Sequence, residues 1–538
     1  MRTEVGRSGP VAHAHNDDRP RTPRPHSLAP VSLATLATLS DALLHGDPGG
    51  TTVRGVELRA QDILQGDLFA ALPGIKAHGA SFAADAVARG AVAVLTDHAG
   101  LAIIDDVVSK DIPVLVHQNP RSVLGLISAG IYDNPSEKLT LIGITGTSGK
   151  TTTAYLVEGG IAAAGYRAGL IGTVETRIDG VPIPSALTTP EAPQLQALLA
   201  VMVERGIDYV VMEVSSHALA LGRVDACEFA VGGFTNLSQD HLDFHSDLDD
   251  YFSTKAQLFD GKVRAPARRA VVCVDDDWGS EMARRAIGDV TTVSADGHAA
   301  DWIARAPEVT GVGVQRFTAE AADGTQHVVS ILLPGRYNVA NAILSVALLD
   351  AVGIPAASVV EGLAKVQVPG RMERVDRGQQ FLAVVDYAHK PGAVEAVLAT
   401  LRAQTSGKIA LVLGAGGNRD AGKRTPMGEA GARGSDYFVI TDDNPRDEDP
   451  SEIRAELAAG ARRVPENERA IIREIADRSE AIGDAVRWVG THGVGDDVVV
   501  VAGKGHESGQ EVLGVKQPFD DRIVLASAID SILGGVNP

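Results

Sequence analysis

The stretch "ITGTSGKTTT", Ile144 to Thr153, follows the apolar run "LTLIG" and leads into "AYLVEGGIAAAGY", a segment with an apolar stripe at helical spacing. A buried strand, a glycine-rich turn and a helix is the reading. Gly143, Gly146 and Gly149 let backbone N–H groups close on phosphate oxygens, and the helix N-terminus adds its dipole. Lys150 offers charge to the β- and γ-phosphates, and Thr151 a hydroxyl to Mg²⁺. The spacing is unusual, because Ile144 stands where the common phosphate loop has glycine, six positions before the lysine. A merely structural turn is the alternative; Lys-Thr-Thr in register at a helix start argues against it. The cradle leaves open what receives the phosphoryl group.

Working outward, "AGLIGTVE" reads as a strand, "PEAPQLQALLAVMVERG" as a helix opened by Pro190, and "DYVVMEVSS", "AVGGFTNLS" and "RRAVVCVDDD" as further strands. This alternation predicts a mostly parallel, doubly wound sheet. Upstream, short segments such as "GDLFAAL", "AVAVLTD" and "IPVLVHQ" alternate with helix patterns until the turn residues of "YDNPSEK". Downstream, the pattern breaks at "VQVPGRME", Val366 to Glu373, then restarts with "FLAVVDYAH", "KIALVLGAGG", "DYFVITDDNP" and "DVVVVAGKGHE". The 538 residues exceed what one core supports. The expected class is therefore α/β in three domains: a disordered tail over 1–30, an N-terminal α/β domain over 31–138, a central phosphate-loop domain over 139–369 and a C-terminal Rossmann-like α/β domain over 370–538.

The net charge of −20 argues against general nucleic-acid binding, which needs a cationic footprint. Two cysteines build neither a disulfide framework nor a cysteine zinc site, which suits a reducing compartment. The N-terminus is rich in Pro, Arg and His and lacks the apolar core of a signal peptide, and no run approaches the roughly 20 apolar residues that span a bilayer. A cytoplasmic enzyme without membrane insertion is expected.

Three further patterns are decoys. "LGAGGNRD" starts like a dinucleotide fingerprint, but Arg419 replaces its final glycine. His241 and His245 have i,i+4 spacing, but Leu242 holds the place where a zinc protease needs Glu. "EVSSH" lacks the flanking glycines of a nucleophile elbow.

Together, "GITGTSGKTT", "TTP" (188–190), "EVSSHAL", "TNLSQDHLDFH", "YFSTKAQLF", "GRYNVANA", "PGRMERV" and "DYAHKP" resemble the Mur ligases, the ATP-dependent amide-forming enzymes of peptidoglycan precursor synthesis. "DDNPR" (442–446) and "GKGHE" (503–507) resemble the branch that adds meso-2,6-diaminopimelate to UDP-N-acetylmuramoyl-L-alanyl-D-glutamate. The resemblance implies that a carboxylate receives the phosphoryl group and becomes an acyl phosphate, which an amine then attacks. It makes the N-terminal domain the holder of the UDP-substrate, the central domain that of ATP, and the C-terminal domain that of the amino acid. Closure about Pro369–Gly370 would bring the sites together.

By the same resemblance, Gly146, Thr147, Ser148, Gly149, Lys150, Thr151 and Thr152 meet the ATP phosphates. Asn338, Asn341, Arg371, Asp386 and His389 border the nucleotide, although either asparagine alone reads equally as a helix cap. Thr151, Glu213 and His241 are implied magnesium ligands, together with Lys255 as a CO₂-derived carbamate, and Lys150, Glu213, His241 and Lys255 form the catalytic set. From the residues alone Lys255 is a solvated helix lysine; carbamylation needs a neutral amine, hence neighbours that lower its pKa. Thr188, Thr189, Ser215, Arg223 and Lys255 are implied for the muramoyl dipeptide. Arg419, Asp443, Asn444, Pro445, Arg446, Gly503 and Glu507 are implied for diaminopimelate, with Arg446 forking onto the distal carboxylate and Glu507 meeting the ammonium.

Five residues at three places depart from the family pattern: Arg59-Ala60-Gln61 in place of Asp-Ser-Arg, Leu221 in place of Gln, and Lys390. A lysine-adding or other sibling ligase, folylpolyglutamate synthase, or a phosphate-loop regulator without ligase activity are the rival readings. The implied partners are small molecules alone, and a monomer is favoured.

Overall fold

The computed structural model describes residues 22–108, 112–183, 187–241, 244–262, 266–311, 313–493 and 495–534. Three sheets follow one another along the chain. The first has five strands in the order 43–45, 114–116, 93–96, 67–70, 55–57, all parallel except the 43–45 edge. The second has eleven, in the order 181–183, 176–178, 168–171, 209–213, 140–145, 229–234, 269–273, 289–294, 302–311, 314–321, 326–331. Its seven central strands run parallel, and two antiparallel strands extend each end. The third orders 373–374, 382–386, 498–502, 409–413, 437–440, 471–474, parallel but for its first short strand.

The continuous apolar runs are explained by burial on both faces. Ile142 and Ile144 pack on one side with Leu156, Ile161, Leu344 and Leu348. On the other side Leu141 and Met212 meet Leu195, Leu199, Phe229 and Phe259. The helix after the glycine turn, Lys150–Ala163, is buried almost all round. This is what an amphipathic stripe becomes when a second helix, Arg336–Ala351, covers its outer face. The helix expected to open at Pro190 begins instead at Ala192, with Pro193 in its first turn. Proline tolerates the first helical positions because their N–H groups have no partner there, and Pro193 fits that better than Pro190.

The 192–204 helix also closes the seam to the first sheet. Ala192, Ala197 and Ala200 belong to one apolar cluster with Leu124 and Ile127 of the helix Pro120–Ile131. Across the same seam the Gln194 side-chain amide donates to Glu57 at 2.7 Å.

Residues 22–30, expected as part of a disordered tail, are ordered. Arg24 donates to both oxygens of Asp67, at 2.6 and 2.8 Å, and to Glu57 at 2.9 Å. The backbone N–H groups of His26 and Ser27 donate to Glu204 at the far end of the 192–204 helix. A composition that disfavours a core of its own is thus tied down by one arginine finding two buried carboxylates. Residues 1–21 lie outside the described residues. Arg24→Ala leaves Glu57 and Asp67 buried beside each other without their cation, so it is expected to destabilise the first unit by about 3 kcal/mol. Urea unfolding of the full chain reads this as an earlier first transition; an unmoved transition would show the strap to be idle.

Candidate active site

Strand 140–145 lies between 209–213 and 229–234, and all three end on the same edge. The chain after 140–145 leaves to one side and later returns to the other, so the loops at this edge flank a crevice. The glycine turn opens into it. Gly149 caps the helix with φ +90°, and a Cβ there would stand 2.3 Å from Asn341 Oδ1. Gly146 has φ +141°, and its Cβ would meet Thr235 Oγ1 at 1.9 Å. Glycine is required at both positions.

The turn is braced from strand 229–234, by the "TN" that follows it. Thr235 Oγ1 donates to the Ser148 carbonyl at 2.7 Å, and Asn236 Nδ2 to the same oxygen at 3.1 Å. In return Asn236 accepts the Ser148 N–H on its side chain at 3.1 Å and the Thr147 N–H on its carbonyl at 2.9 Å. Two amides that the sequence offered to phosphate are therefore engaged within the protein. The helix start at Gly149, Lys150 and Thr151 is the part of the turn that suits an anion, and Thr151 and Thr152 are both buried there. Thr235 and Asn236 stood inside a quoted motif without an assigned role. Their polarity directly after a buried strand was the available signal.

Lys150 Nζ donates to the Gly146 and Thr147 carbonyls, both at 2.9 Å, and Lys255 Nζ donates to the same Gly146 oxygen at 2.9 Å. Lys255 stands on the helix Leu248–Ala256, is 1% exposed and lies 4.4 Å from the centroid of the Tyr251 ring. It is no solvated lysine. Burial, then repulsion from Lys150, hold its pKa well below the ordinary value against the pull of Asp240. Burial likewise lowers Lys150 against the attraction of Glu213.

Glu213, at the end of strand 209–213, is 1% exposed. It accepts the Thr151 hydroxyl at 3.0 Å and the Thr173 N–H and hydroxyl at 2.8 and 3.0 Å. The Thr151–Glu213 pair, a hydroxyl and a carboxylate at the end of a phosphate turn, is a donor set that suits Mg²⁺. His241, with φ +54°, sits apart from that pair, its ring edge-on to His217 at 5.1 Å and Nε2 3.7 Å from Asp240. Burial lowers its pKa, which favours the neutral imidazole, the form able to ligate. Among the described residues no three His, Cys, Asp or Glu side chains form one cluster; Leu242 and Asp243 lie outside them. His245 turns away, 3.0 Å from Ser216 Oγ and 3.2 Å from Asp250.

Thr188, Thr189, Ser215 and Arg223 gather beside Glu213. Thr188 Oγ1 lies 3.0 Å from Thr173 Oγ1, and Thr189 Oγ1 donates to the Glu213 carbonyl at 2.8 Å. The Ser215 N–H donates to Thr189 Oγ1 at 3.2 Å, and Arg223 donates to the Thr189 carbonyl at 3.0 Å while pairing with Glu191 at 2.8 Å. Arg223 Nε is buried without a partner among the described residues.

Asn338 and Asn341 are not helix caps, since Gly335 caps their helix. Asn341 Nδ2 donates to Asn338 Oδ1 at 3.1 Å, Asn338 Nδ2 to the Pro334 carbonyl at 2.7 Å, and Asn341 Oδ1 faces Gly149. With Asn236, Arg336 and Tyr337, Asn341 lines a cleft beside the turn. Arg371 stacks on Tyr387, its guanidinium 4.5 Å from the ring centroid. Asp386 uses its two oxygens on the backbone N–H groups of Met372 and Ala388, at 2.7 and 2.8 Å, and burial raises its pKa. It ties strand 382–386 to the Gly370 segment and offers a nucleotide little. His389 Nδ1 is 2.8 Å from the Tyr387 carbonyl.

In the third sheet, "DDNPR" follows strand 437–440 and "GKGHE" follows strand 498–502. Asn444 Nδ2 donates to Glu507 Oε2 at 2.8 Å. Arg446 donates to the Gly417 carbonyl at 2.7 Å and lies 3.4 Å from Glu511, on the hairpin 509–518. Pro445 turns the chain between them, and the Gly503 Cβ position, at φ +113°, lies 2.7 Å from Asp443 Oδ2. Beneath them Arg478 is fully buried, bidentate on Asp521 at 2.7 Å and donating to the Ala502 carbonyl at 2.9 Å. Arg419 makes no ion pair among the described residues; its charge reaches Tyr387 and Lys423.

Residues 52–128 match the pattern of the Mur ligase family, catalytic domain; 144–349 that of the Mur ligase middle domain; and 370–505 that of the Mur ligase glutamate ligase domain. The chain belongs to the Mur ligase family. It is an ATP-dependent, ADP-forming ligase. It is 49% identical over 514 residues, 94% of this chain and 98% of the relative, to the UDP-N-acetylmuramoyl-L-alanyl-D-glutamate–2,6-diaminopimelate ligase of Corynebacterium glutamicum. It is equally 49% identical to the ligase of that name from Streptomyces coelicolor, over 96% of this chain and 99% of the relative. A solved structure of a ligase of that name superposes with a TM-score of 0.68 at 30% identity, over 94% of this chain and all of the other.

Within this Mur ligase, Thr235→Val removes the 2.7 Å bond to Ser148 and should raise the KM for ATP about 5-fold at little loss of stability. Initial rates over a range of ATP concentrations check it; an unchanged KM means the turn holds its shape without the brace.

Proposed function

We propose that this ligase adds meso-2,6-diaminopimelate to the γ-carboxylate of D-Glu in UDP-N-acetylmuramoyl-L-alanyl-D-glutamate, converting ATP to ADP and phosphate. The observation that carries the reading is the frame around Asn444. It sets Glu507 on one side and, through the shared strand of Glu511, Arg446 on the other. That is one anion and one cation for a zwitterionic centre.

In this reading residues 31–138 hold the UDP-bearing substrate, 139–369 hold ATP and 370–538 hold the amino acid. Thr188, Thr189, Ser215 and Arg223 orient the dipeptide beside Glu213. The D-Glu carboxylate attacks the γ-phosphorus, ADP leaves, and the acyl phosphate is attacked by the diaminopimelate amine. The tetrahedral adduct then expels phosphate. Lys150 and the helix start hold the phosphate oxygens as charge shifts between them. Thr151, Glu213 and His241, with Lys255 as its carbamate, would hold Mg²⁺, which neutralises the meeting of two anions. Lys255 suits carbamylation because burial shifts its amine toward the neutral form that reacts with CO₂. Gly370, at φ +65°, lies against His506 N with no room for a Cβ, and serves as the closure point.

The deciding assay is phosphate release with Mg-ATP and the muramoyl dipeptide, comparing meso-diaminopimelate with L-lysine and weighing the product by mass. Release is expected with diaminopimelate alone, because lysine leaves Arg446 without a carboxylate. Turnover of lysine overturns the amino-acid assignment, and release independent of either amine overturns the ligase reaction. For Lys255, ¹³CO₂ should give a carbamate signal absent from Lys255→Ala. Because its pKa is lowered, protonation competes with the carbamate only below the range of an ordinary lysine, so the signal should weaken as the pH is lowered. A wild-type spectrum without the signal removes the carbamate from the mechanism.

A further inference from the structure

Lys504 is fully buried, in the middle of "GKGHE", and neither the ATP site nor the expected amino-acid contacts use it. Its Nζ donates to Asn444 Oδ1 at 3.0 Å and lies 3.5 Å from Glu507 Oε2. The Glu511 backbone N–H donates to the same Asn444 oxygen at 2.9 Å. An ammonium and a backbone amide can only donate. Two donors converging on one atom fix which end of the Asn444 amide lies there: it is the oxygen, and the NH₂ must face Glu507, as it does at 2.8 Å.

We infer that Lys504 is a positioning residue for the amino-acid substrate. Its ammonium locks the Asn444 amide and, through that amide, aims the Glu507 carboxylate. The inference rests on the reading of this pocket as the amino-acid site. Glu507 Oε2 is held from two sides, by Asn444 and Lys504, while no hydrogen bond engages Oε1 among the described residues. Glu507 is also a third exposed, so Oε1 is the atom left to receive a substrate ammonium. The lock extends to Arg446. Its backbone exchanges hydrogen bonds with Glu511 and Leu513 on the hairpin, at 3.0 and 2.7 Å, and Glu511 is the second donor on Asn444. The spacing between the anion and the cation that read one zwitterion is therefore set by the Asn444 amide, and Lys504 sets the amide. A lysine withdrawn wholly from water is tolerated only where such partners satisfy it.

The bland alternative is a staple that merely holds the turn 503–507 together. The two separate in steady-state kinetics of the full-length enzyme. Lys504→Met removes the donor, and the KM for diaminopimelate should rise at least about 10-fold. The KM values for ATP and the muramoyl dipeptide should stay within about 2-fold, and the preference for diaminopimelate over L-lysine should narrow. Lys504→Gln, which retains one donor toward Asn444 without the charge, should raise the amino-acid KM by an intermediate amount; it replaces the methionine variant if that one fails to fold. A folded variant with an unchanged amino-acid KM overturns the inference. So does one in which the KM values for all three substrates rise together, which is the staple's signature. The wild-type assay comes first and tests the pocket itself. If the wild type uses lysine in place of diaminopimelate, the proposed function falls and the Lys504 comparison proceeds with lysine. If it uses neither amine, the function and the inference fall together before any variant is made.

Discussion

The carbonyl oxygen of Gly146 accepts hydrogen bonds from two lysine side chains, Lys150 and Lys255. In a buried site, like charges this close repel strongly, and the charge of Lys150 drives Lys255 toward its neutral form. Asp240 pulls both lysines the other way, as Glu213 does Lys150, and Glu213 is already committed to Thr151 and Thr173. Such a site favours anionic oxygens, on phosphate or on a modified lysine, over any neutral ligand. That is how a chain of net charge −20 can hold a polyanion: the field that matters is made within a few ångströms, by Lys150 and a helix end. The rest of the central sheet serves to keep that carbonyl where it is. Strand 140–145 delivers it, strand 229–234 braces it through Thr235 and Asn236, and helix 248–256 brings Lys255 to it from over a hundred residues away.

What the sequence made legible follows the same division. The glycine turn was readable because its chemistry is local: strand, glycines, Lys-Thr-Thr and helix are contiguous, and the φ values of Gly146 and Gly149 bear out the need for glycine. The parallel alternation was readable for the same reason. The antiparallel strands over 314–331 were missed, although "VQRFTAEA" and "QHVVSI" alternate with period two, because a long run of βα units had set the expectation. Pro190 was misplaced by two residues, within the ordinary uncertainty of a helix end.

The remaining surprises are non-local, and all concern buried charge. Composition said that residues 22–30 have no core of their own, which is true. It could not say that Arg24 finds Glu57 and Asp67, 33 and 43 residues on. Lys255 read as a solvated lysine, and Lys504 and Arg478 went unread, because charged side chains are mostly exposed and no local pattern marks the exceptions. Only the resemblance to the family singled out Lys255, and the structure supplies the physical reason, a lysine with 1% of its surface exposed.

Lys390 shows how the units are joined electrically. It stands in the third unit just before the helix Pro391–Arg402, and pairs with Asp240 of the second at 2.5 Å. Its charge, with that of Arg371, reaches Lys150 in the phosphate turn and lowers its pKa further. So the third unit contributes two cations to the field at the turn while it also carries the Asn444–Arg446 frame. A polyanion at the turn is attracted by both cations only when the units are docked, so its binding free energy includes a term for docking. By linkage, docking must strengthen the anion's hold by the same factor. In the proposed reaction the Asn444–Arg446 frame is thus brought toward the acyl phosphate by the charge of the molecule that made it, and a neutral side chain at 390 would weaken that coupling without touching either pocket.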